Sequence, residues 1–437
     1  MKKRVLAIMM AITLAAGSLA GCSGGSKSGD SKEDIVIKVA GRYSNDTPTE
    51  KYYRQKVEEF NEMDNGIKVE MDNISTEADY IDKLRTSFAN GDIPNVFVEY
   101  GGSRCLDYLE ADALVDLKPY LDENDSEWRN QFYDSMWAAT EYEGYEGTYA
   151  VPFGSYFILL YYNKALFEEA GVQPPETLDE LMVVCEKLKE KGILPFQIGG
   201  KESYRFGHLN NNLIIKTLGI DAVDQLASRE LSYDSSEMIQ TYQFIADMLE
   251  NGYLGEDILD TDATAENVAF TEGKAAMHYD GTWFAANEFS DPEIYNNIGV
   301  IPFPYGDESC KYYAQGGAAD LFYVSKLNKS EEEIEASIEF LKYVTSPEYF
   351  RGLDEKIRTI APVKFEKSDK AKDDPLTDEI IAIQSEIKGL RTDVQNYDPQ
   401  SHMIDTVRSS LQGLAMGDSA EKCAENIMKR MEEYSEE

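Results

Sequence analysis

The chain has 437 residues, with 42 basic and 81 acidic side chains and a formal net charge of −39. This acidity excludes nucleic acid as a partner, because basic patches supply most of the affinity for a phosphate backbone. It also disfavours adsorption to anionic lipid. About 400 residues follow the N-terminal segment, too many for one ordinary hydrophobic core, so the length predicts two lobes.

The N-terminal segment has the layout of a secretory signal. Residues 2–4 are basic, residues 5–14 are mostly apolar, and small residues follow. At roughly 15 residues the apolar stretch is too short for a transmembrane helix, which needs about 20. The tetrapeptide Leu19-Ala20-Gly21-Cys22 resembles the lipobox of bacterial lipoproteins. This resemblance implies that residues 1–21 are a lipoprotein signal peptide and that Cys22 is lipidated. The alternative is a plain signal peptide with an incidental cysteine.

A tether follows the candidate lipidation site. Residues 23–31 consist mainly of glycine and serine, a composition typical of flexible linkers. We therefore interpret residues 22–34 as a flexible segment that lets a folded body stand off the membrane.

Alternating strands and helices begin at residue 35. Hydrophobic periodicity predicts strands at 35–40, 67–71 and 95–100, with helices at 49–63 and 80–89. Strand and helix alternating at this spacing is typical of a parallel sheet with covering helices. The sequence thus predicts an α/β body.

The ends of two of these strands carry candidate ligand residues. Ligands of parallel sheets bind beyond the carboxyl ends of the strands. Arg42 and Tyr43 follow the first predicted strand, and Glu99 and Tyr100 end the third. We therefore predict that these four side chains contact a ligand.

A second block of strands and helices starts near residue 149. The patterns predict strands at 157–162 and 195–198, and helices at 178–191, 210–218 and 237–251. Thr177 is a natural N-cap for the first of these helices, with Glu180 three residues on. Trp128 and Trp137, earlier in the chain, lie in a helical stretch and are predicted to be core residues.

Four motifs of this second half carry a family resemblance. They are residues 162–171, residues 270–277 with Gly281-Thr282-Trp283, residues 298–304 with Gly316-Gly317, and residues 336–348. In this order they resemble bacterial extracellular solute-binding protein family 1, the maltose-binding type of ABC sugar transporter lipoprotein. The resemblance covers roughly residues 35 to 435.

The resemblance implies a two-lobed, type II periplasmic-binding-protein-like fold. Each lobe is expected to be a parallel-rich sheet flanked by helices, with the ligand cleft between the lobes. Residues 35–152 and 299–350 are expected to form the N-terminal lobe, and residues 153–298 and 351–437 the C-terminal lobe.

The resemblance also implies further site residues in the second half. Trp283 matches a position where an aromatic ring stacks on sugar, and Tyr156 matches a hinge position that faces the cleft. Further members of the predicted site are Asp280 as a hydroxyl acceptor, Tyr204 and Arg205 on a second-lobe loop, and Gly316 and Gly317, where backbone approaches the ligand closely.

The function implied is that of the extracytoplasmic substrate-binding subunit of an ABC importer. Such a subunit binds a carbohydrate and delivers it to the membrane permease subunits. We expect a monomer without cofactor, lipid-anchored on the outer face of the membrane of a Gram-positive bacterium. Two alternatives stay open: a receptor of the same fold for a polyamine or amino acid, and a lipid-anchored glycan-degrading enzyme.

Signals for catalysis or metal binding are poor. No G-x-S-x-G, H-E-x-x-H or phosphate-loop pattern occurs, and the three histidines are far apart. The spacing of the later cysteines matches no zinc site and leaves open whether any of them form disulfides. These cysteines are Cys105, Cys185, Cys310 and Cys423.

Overall fold

The computed structural model describes residues 34–74, 77–140, 142, 144–285, 292–357, 359–371, 373–400 and 402–435. The predicted signal peptide and Cys22 lie outside the described residues. Within these ranges, no helix combines the length and apolar character that a bilayer span requires.

Strands and helices alternate through most of the chain. The strands are β1 Ile35–Gly41, β2 Ile67–Asn73, β3 Val96–Glu99, β4 Ala150–Asn163, β5 Leu194–Phe196, β6 Ala275–Gly281, β7 Ile298–Pro302, β8 Tyr313–Val324 and β9 Gly389–Arg391. The helices are α1 Pro48–Asn61, α2 Glu77–Ala89, α3 Leu106–Glu110, α4 Lys118–Leu121, α5 Glu123–Asn130, α6 Lys164–Ala170, α7 Leu178–Glu190, α8 Tyr204–Leu218, α9 Asp221–Ala227, α10 Ser236–Glu250, α11 Ala263–Thr271, α12 Pro292–Asn296, α13 Glu331–Val344, α14 Pro347–Asp354, α15 Pro375–Glu386, α16 Met403–Ala415 and α17 Ala420–Ser435.

The first lobe is built on the strand order β2-β1-β3-β8-β4. Strand β1 pairs in parallel with both β2 and β3, as the βαβ pattern predicted. Strand β8 adds antiparallel pairs to β3 and to the first half of β4. The parallel part of the sheet therefore carries an antiparallel edge from the later chain.

The second lobe uses the other half of β4. Residues 158–163 of this strand pair antiparallel with β6 on one side and β7 on the other, so that Leu159 lies opposite both Asp280 and Pro302. Strand β5 adds a parallel pair to β6, and β9 a parallel pair to β8. The α/β class is confirmed, and in each lobe the sheet mixes parallel and antiparallel pairs.

The long strands β4 and β8 each join two hydrophobic cores. In β4, Phe153 packs in the first core, whereas Phe157 packs in the second lobe. In β8, Ala318 belongs to the first core and Ala314 to the second lobe. The chain therefore crosses between lobes within each of these strands.

Strand pairing moves the predicted lobe boundaries. We expected residues 299–350 in the first lobe, but Val300 and Phe303 pack in the second, because β7 pairs with the outer half of β4. Tyr349 and Val363 pack in the first core, whereas Leu376 packs in the second lobe. The last crossing thus falls after Val363.

Local predictions elsewhere are confirmed. Thr177 and Glu180 form a capping box at the start of α7. Trp128 and Trp137 are buried, and the Trp128 indole donates to the Thr345 hydroxyl at 3.0 Å. The pairing of the four later cysteines was left open by the sequence, and in the structure all four are buried free thiols.

Candidate functional site

The two lobes meet where two short 3₁₀ turns face each other. One turn, Gly102–Cys105, belongs to the first lobe, and the other, Val394–Tyr397, follows β9. Gly102 has φ +65, and a Cβ there would lie 2.3 Å from the Asn396 carbonyl oxygen. Only glycine permits so close an approach in this backbone conformation.

Two cavities open beside this contact, and both are lined from the two lobes. One, of about 850 Å³, is bounded by Tyr100 on the first lobe and Tyr397 on the second. The other, of about 730 Å³, is bounded by Glu99 on the first lobe and Arg408 on the second. Their size is that of small-molecule sites. We call the space that they form the interlobe cleft.

An aromatic cluster belongs to the second lobe. Trp283 is 42% exposed, unusual for so large an apolar side chain. Its ring centroid lies 5.5 Å from that of Tyr156 and 6.0 Å from that of His208. Tyr204 meets the edge of His208 at 5.2 Å. We call these four residues the aromatic wall, which brings together three of the predicted site residues.

The conformation of Trp283 is fixed by its neighbours in the chain. Its ring lies over Gly281, where a Cβ would come within 2.2 Å of the indole. The Gly281 amide donates to Asp280 at 2.9 Å, and its carbonyl accepts from the Tyr161 hydroxyl at 3.2 Å. The exposed indole is therefore held by a well-bonded turn at the end of β6.

A buried network of charges lies behind the aromatic wall. Arg205 is 1% exposed, and it donates to Glu266 and, at 2.9 Å, to Asp280. His278 lies 3.2 Å from each of the same two carboxylates. Burial alone raises the pKa of Asp280, but Arg205 and His278 bring it below its ordinary value. We call these four residues the buried charge network.

This network changes the interpretation of two predicted ligand residues. We expected Asp280 to accept from a ligand hydroxyl and Arg205 to lie on a binding loop. Both side chains are buried and paired with each other, so neither is free to contact a ligand. Asp280 accepts from the Gly281 amide beneath the Trp283 ring, and Arg205 lies 5.7 Å from the Tyr204 ring centroid. Both residues therefore support the aromatic wall.

The first-lobe side of the cleft is built from Tyr100 and two arginines. Arg42 lies 4.9 Å from the Tyr100 ring centroid and Arg104 lies 5.6 Å from it. Arg42 also pairs with Asp320 at 3.0 Å, with both side chains about a quarter exposed, at 26% and 28%. Tyr100 and Arg42 therefore occupy the strand-end positions that the sequence predicted.

The other two strand-end predictions are buried. Tyr43 is 7% exposed and packs in the first core, 4.4 Å from Tyr53 between ring centroids. Glu99 is 5% exposed, accepts from the Tyr100 amide at 3.2 Å and borders the smaller cavity. Tyr43 is therefore a core residue and does not line the cleft, whereas Glu99 lies at the edge of the cleft.

The glycine pair of β8 serves the crossing between lobes. Gly316 lies opposite Phe157 and Gly317 opposite Tyr156. A Cβ on Gly316 would lie 2.3 Å from the Tyr156 carbonyl oxygen, and one on Gly317 would lie 3.0 Å from Thr392. These glycines allow close packing of protein against protein, which differs from the predicted approach of backbone to ligand.

A polar group around Asp393 was not predicted from the sequence. Asp393 accepts from Asn211 and Gln315 at 2.8 Å each and from Arg408 at 2.6 Å. Burial raises the pKa of Asp393, but Arg408 and His208 bring it below its ordinary value. The sequence signal was available in α8, where the segment His208–Asn212 is polar except for Leu209 and includes three asparagines. All of its polar residues are buried.

Metal chemistry has no support in this region. Across the described ranges, no group of three or more His, Cys, Asp or Glu side chains is arranged to hold a metal ion. The carboxylates of the buried charge network are occupied by Arg205 and His278.

Comparison with known proteins identifies the family. The model of the bacterial extracellular solute-binding proteins matches residues 44–349. The chain belongs to this family.

Individual relatives agree with this assignment. The multiple sugar-binding protein of Streptococcus mutans is 27% identical over 343 residues, 75% of each chain. A solved chitin oligosaccharide binding protein superposes with a TM-score of 0.81 at 23% identity, covering 92% of this chain and 98% of the other. A structure from work on xylan utilisation by Caldanaerobius polysaccharolyticus gives a TM-score of 0.78 at 21% identity, covering 91% and 100%. These likenesses confirm the predicted two-lobed fold.

Proposed function

We propose that the chain is the extracytoplasmic substrate-binding subunit of an ABC importer and that it binds a carbohydrate in the interlobe cleft. The observation that carries this proposal is the exposed indole of Trp283 beside Tyr156. Tyr156 in turn interacts electrostatically with Tyr100 and Tyr397, which bound the larger cavity of the cleft from the two lobes. An aromatic face suits the apolar C–H face of a sugar ring. The names of the relatives point the same way.

The polar lining of the interlobe cleft suits a sugar as well. Each sugar hydroxyl both donates and accepts a hydrogen bond. The cleft offers donors and acceptors from both lobes, among them Glu99, Arg104 and Arg408. Aromatic faces together with such groups match the chemistry of a polyhydroxylated ring.

The crossings in β4 and β8 support a role in transport. Lobes joined by a few extended segments close around ligand by hinge motion. A ligand that favours the closed state shifts the population toward it. We propose that the permease subunits dock the closed form. We also propose that the protein acts as a monomer anchored through Cys22 at the outer membrane face, as the signal layout and lipobox resemblance suggest.

The two alternatives have less support. A polyamine site would use Glu99, Tyr100 and Asp280 together, but Asp280 is paired with Arg205. A glycan-degrading enzyme would be unusual in a family of solute-binding proteins. We propose that the chain binds its ligand without turnover.

A ligand screen tests this proposal. The mature chain, residues 22–437, is melted with chitotriose, xylotriose, galactose, stachyose, spermidine and a mixture of amino acids. We expect one of the sugars to raise the melting temperature, because ligand at 100 times its dissociation constant adds about 2.7 kcal/mol of stability. A shift with spermidine or amino acids and with none of the sugars would contradict carbohydrate binding. Release of reducing sugar during incubation would contradict binding without turnover.

A further inference from the structure

We infer that His208 and Asn211, side by side on α8, form a hydrogen-bonding site that reads hydroxyl groups of an uncharged sugar and rejects ligands bearing carboxylate or phosphate. This inference rests on the proposed function and narrows its ligand class. It gives these two residues a role in specificity that is separate from stacking on Trp283.

Both residues carry a buried polar atom without a partner. His208 is 6% exposed and Asn211 is 1% exposed. Among the described residues, His208 Nδ1 and Asn211 Oδ1 have no hydrogen-bond partner. A buried polar atom left unpaired costs about 1–3 kcal/mol, so such an atom calls for an explanation. One explanation is a ligand that supplies the missing hydrogen bond. Both atoms belong to the lobe that carries the aromatic wall.

The orientation of both side chains follows from Asp393. Asn211 donates through Nδ2 to the Asp393 carboxylate at 2.8 Å, which leaves its oxygen as the unpaired atom. His208 Nε2 lies 3.8 Å from the same carboxylate. A carboxylate on that side favours the proton on Nε2, so Nδ1 carries a lone pair. The two unpaired atoms are therefore both acceptors, three residues apart on one face of α8.

The charge state of His208 agrees with this assignment. Burial lowers its pKa to about 4, against an opposing effect of Asp393. Arg205 and Arg408 lower it further, and Asp280 raises it. The imidazole is thus neutral at neutral pH, and Nδ1 accepts rather than donates.

Two acceptors beside a carboxylate require a ligand that donates. A hydroxyl donates, whereas an ionised carboxylate or phosphate only accepts. Such an anion would find only acceptors at these two atoms. A cationic ligand would be attracted only weakly to Asp393, because Arg408 already donates to this carboxylate at 2.6 Å. The arrangement therefore favours an uncharged, hydroxyl-bearing ligand.

The contacts of His208 with the other members of the aromatic wall place this site next to the exposed indole. Its ring meets Trp283 at 6.0 Å and Tyr204 at 5.2 Å between centroids. A sugar stacked on the exposed indole would therefore have its hydroxyls within the neighbourhood of α8. Recognition of the ring face and of its hydroxyls would then come from the same lobe.

The test compares matched ligands on matched variants by calorimetry. The neutral probes are galactose, chitotriose, xylotriose and stachyose, and the charged probes are galacturonate, sn-glycerol 3-phosphate and spermidine. His208→Phe keeps a flat ring against Trp283 but removes both nitrogens, and His208→Asn restores an acceptor. Thr241→Val is the control, since the buried Thr241 hydroxyl of α10 packs against the same helix but donates to Asn210 at 3.0 Å, so that its polar atom is paired.

We expect the wild type to bind a neutral probe at least tenfold more tightly than any charged one. We expect His208→Phe to weaken that binding at least tenfold with a nearly unchanged melting temperature, and His208→Asn to recover part of the loss. Thr241→Val should lower the melting temperature and leave the affinity unchanged.

Three results would overturn the inference. The first is an unchanged affinity of His208→Phe for the neutral probe. The second is tighter binding of a charged probe than of every neutral probe, and the third applies when the variant does not fold. If His208→Phe does not fold, the imidazole nitrogen resonances of the wild type decide, because a sugar that leaves Nδ1 of His208 unshifted does not bond to it. Sugar binding that is insensitive to His208 refutes this inference alone, whereas the absence of binding to any sugar refutes the proposed function too.

Discussion

The two sides of the interlobe cleft are built in opposite ways. On the first lobe, Tyr100 is flanked by arginines, and the Arg42–Asp320 pair is about a quarter exposed. On the second lobe, the exposed Trp283 is backed by charges that are almost completely buried. Exposed ion pairs contribute little to stability and adjust easily, whereas a buried network is costly to break. On the proposed function, the second lobe would therefore supply a rigid binding surface, and the first lobe a side that adapts as the cleft closes.

Removal of Arg205 should have the largest effect on stability. In Arg205→Met, Glu266 and Asp280 lose a buried cation, and we expect the free energy of unfolding to fall by about 3–5 kcal/mol. Urea denaturation of both proteins measures this. A loss below 1 kcal/mol would show that the buried charge network does not stabilise the second lobe.

Truncation of Trp283 should affect ligand binding rather than folding. Because the indole is 42% exposed, Trp283→Ala should leave stability nearly unchanged. Aromatic anchors of binding sites contribute about 2–3 kcal/mol or more, so affinity for the bound sugar should fall by a corresponding factor. The control is Trp128→Ala, which removes a buried indole and should cost about 3–5 kcal/mol of stability. If the two variants lose stability equally, Trp283 is a core residue.

His208 should make stability depend on pH. The folded protein protonates this side chain only near pH 4, whereas the unfolded chain does so near pH 6.5. Between these values the unfolded chain holds the extra proton, so acidification favours unfolding. From pH 7 to pH 5 the loss through this group should be about 2 kcal/mol.

His208→Phe isolates that contribution, since His278 and the buried carboxylates are present in both proteins. Urea denaturation at pH 5, 6 and 7 should give a smaller loss of stability on acidification for the variant. Parallel curves for the two proteins would mean that His208 titrates normally when folded.

The smallest effect is expected on the first lobe. Arg42→Met breaks a partly exposed pair with Asp320 and should change the free energy of unfolding by less than about 1 kcal/mol. Measured beside Arg205→Met, it tests the contrast between the two sides of the cleft directly. A loss as large as that of the Arg205 variant would remove the distinction.

Local sequence patterns predicted the elements well, because periodicity and capping act over a few residues. The strand at β1, the βαβ order of the first lobe and the capping box of α7 all follow from such patterns. The sequence also placed Trp283, Tyr156 and Tyr204 in one site. These three form most of the aromatic wall.

Long-range pairing explains what could not be predicted. The buried charge network joins residues that are separated in sequence, among them Arg205, Glu266 and Asp280. The sequence around Asp280 does not indicate that Arg205 of α8 pairs with it in the interior. The group around Asp393 likewise joins α8, the segment after β9 and α16. The lobe boundaries were misplaced for the same reason, since the pairing of β7 with β4 has no local signature.

Tryptophan fluorescence tests the central claim, that sugar binds on the exposed indole of the interlobe cleft. The chain has 3 tryptophans, of which Trp128 and Trp137 are buried in the first core. Titration with the sugar found by the screen should change the emission of the wild type and leave that of Trp283→Phe unchanged. An equal change in both proteins would show that the sugar binds elsewhere and would contradict the account.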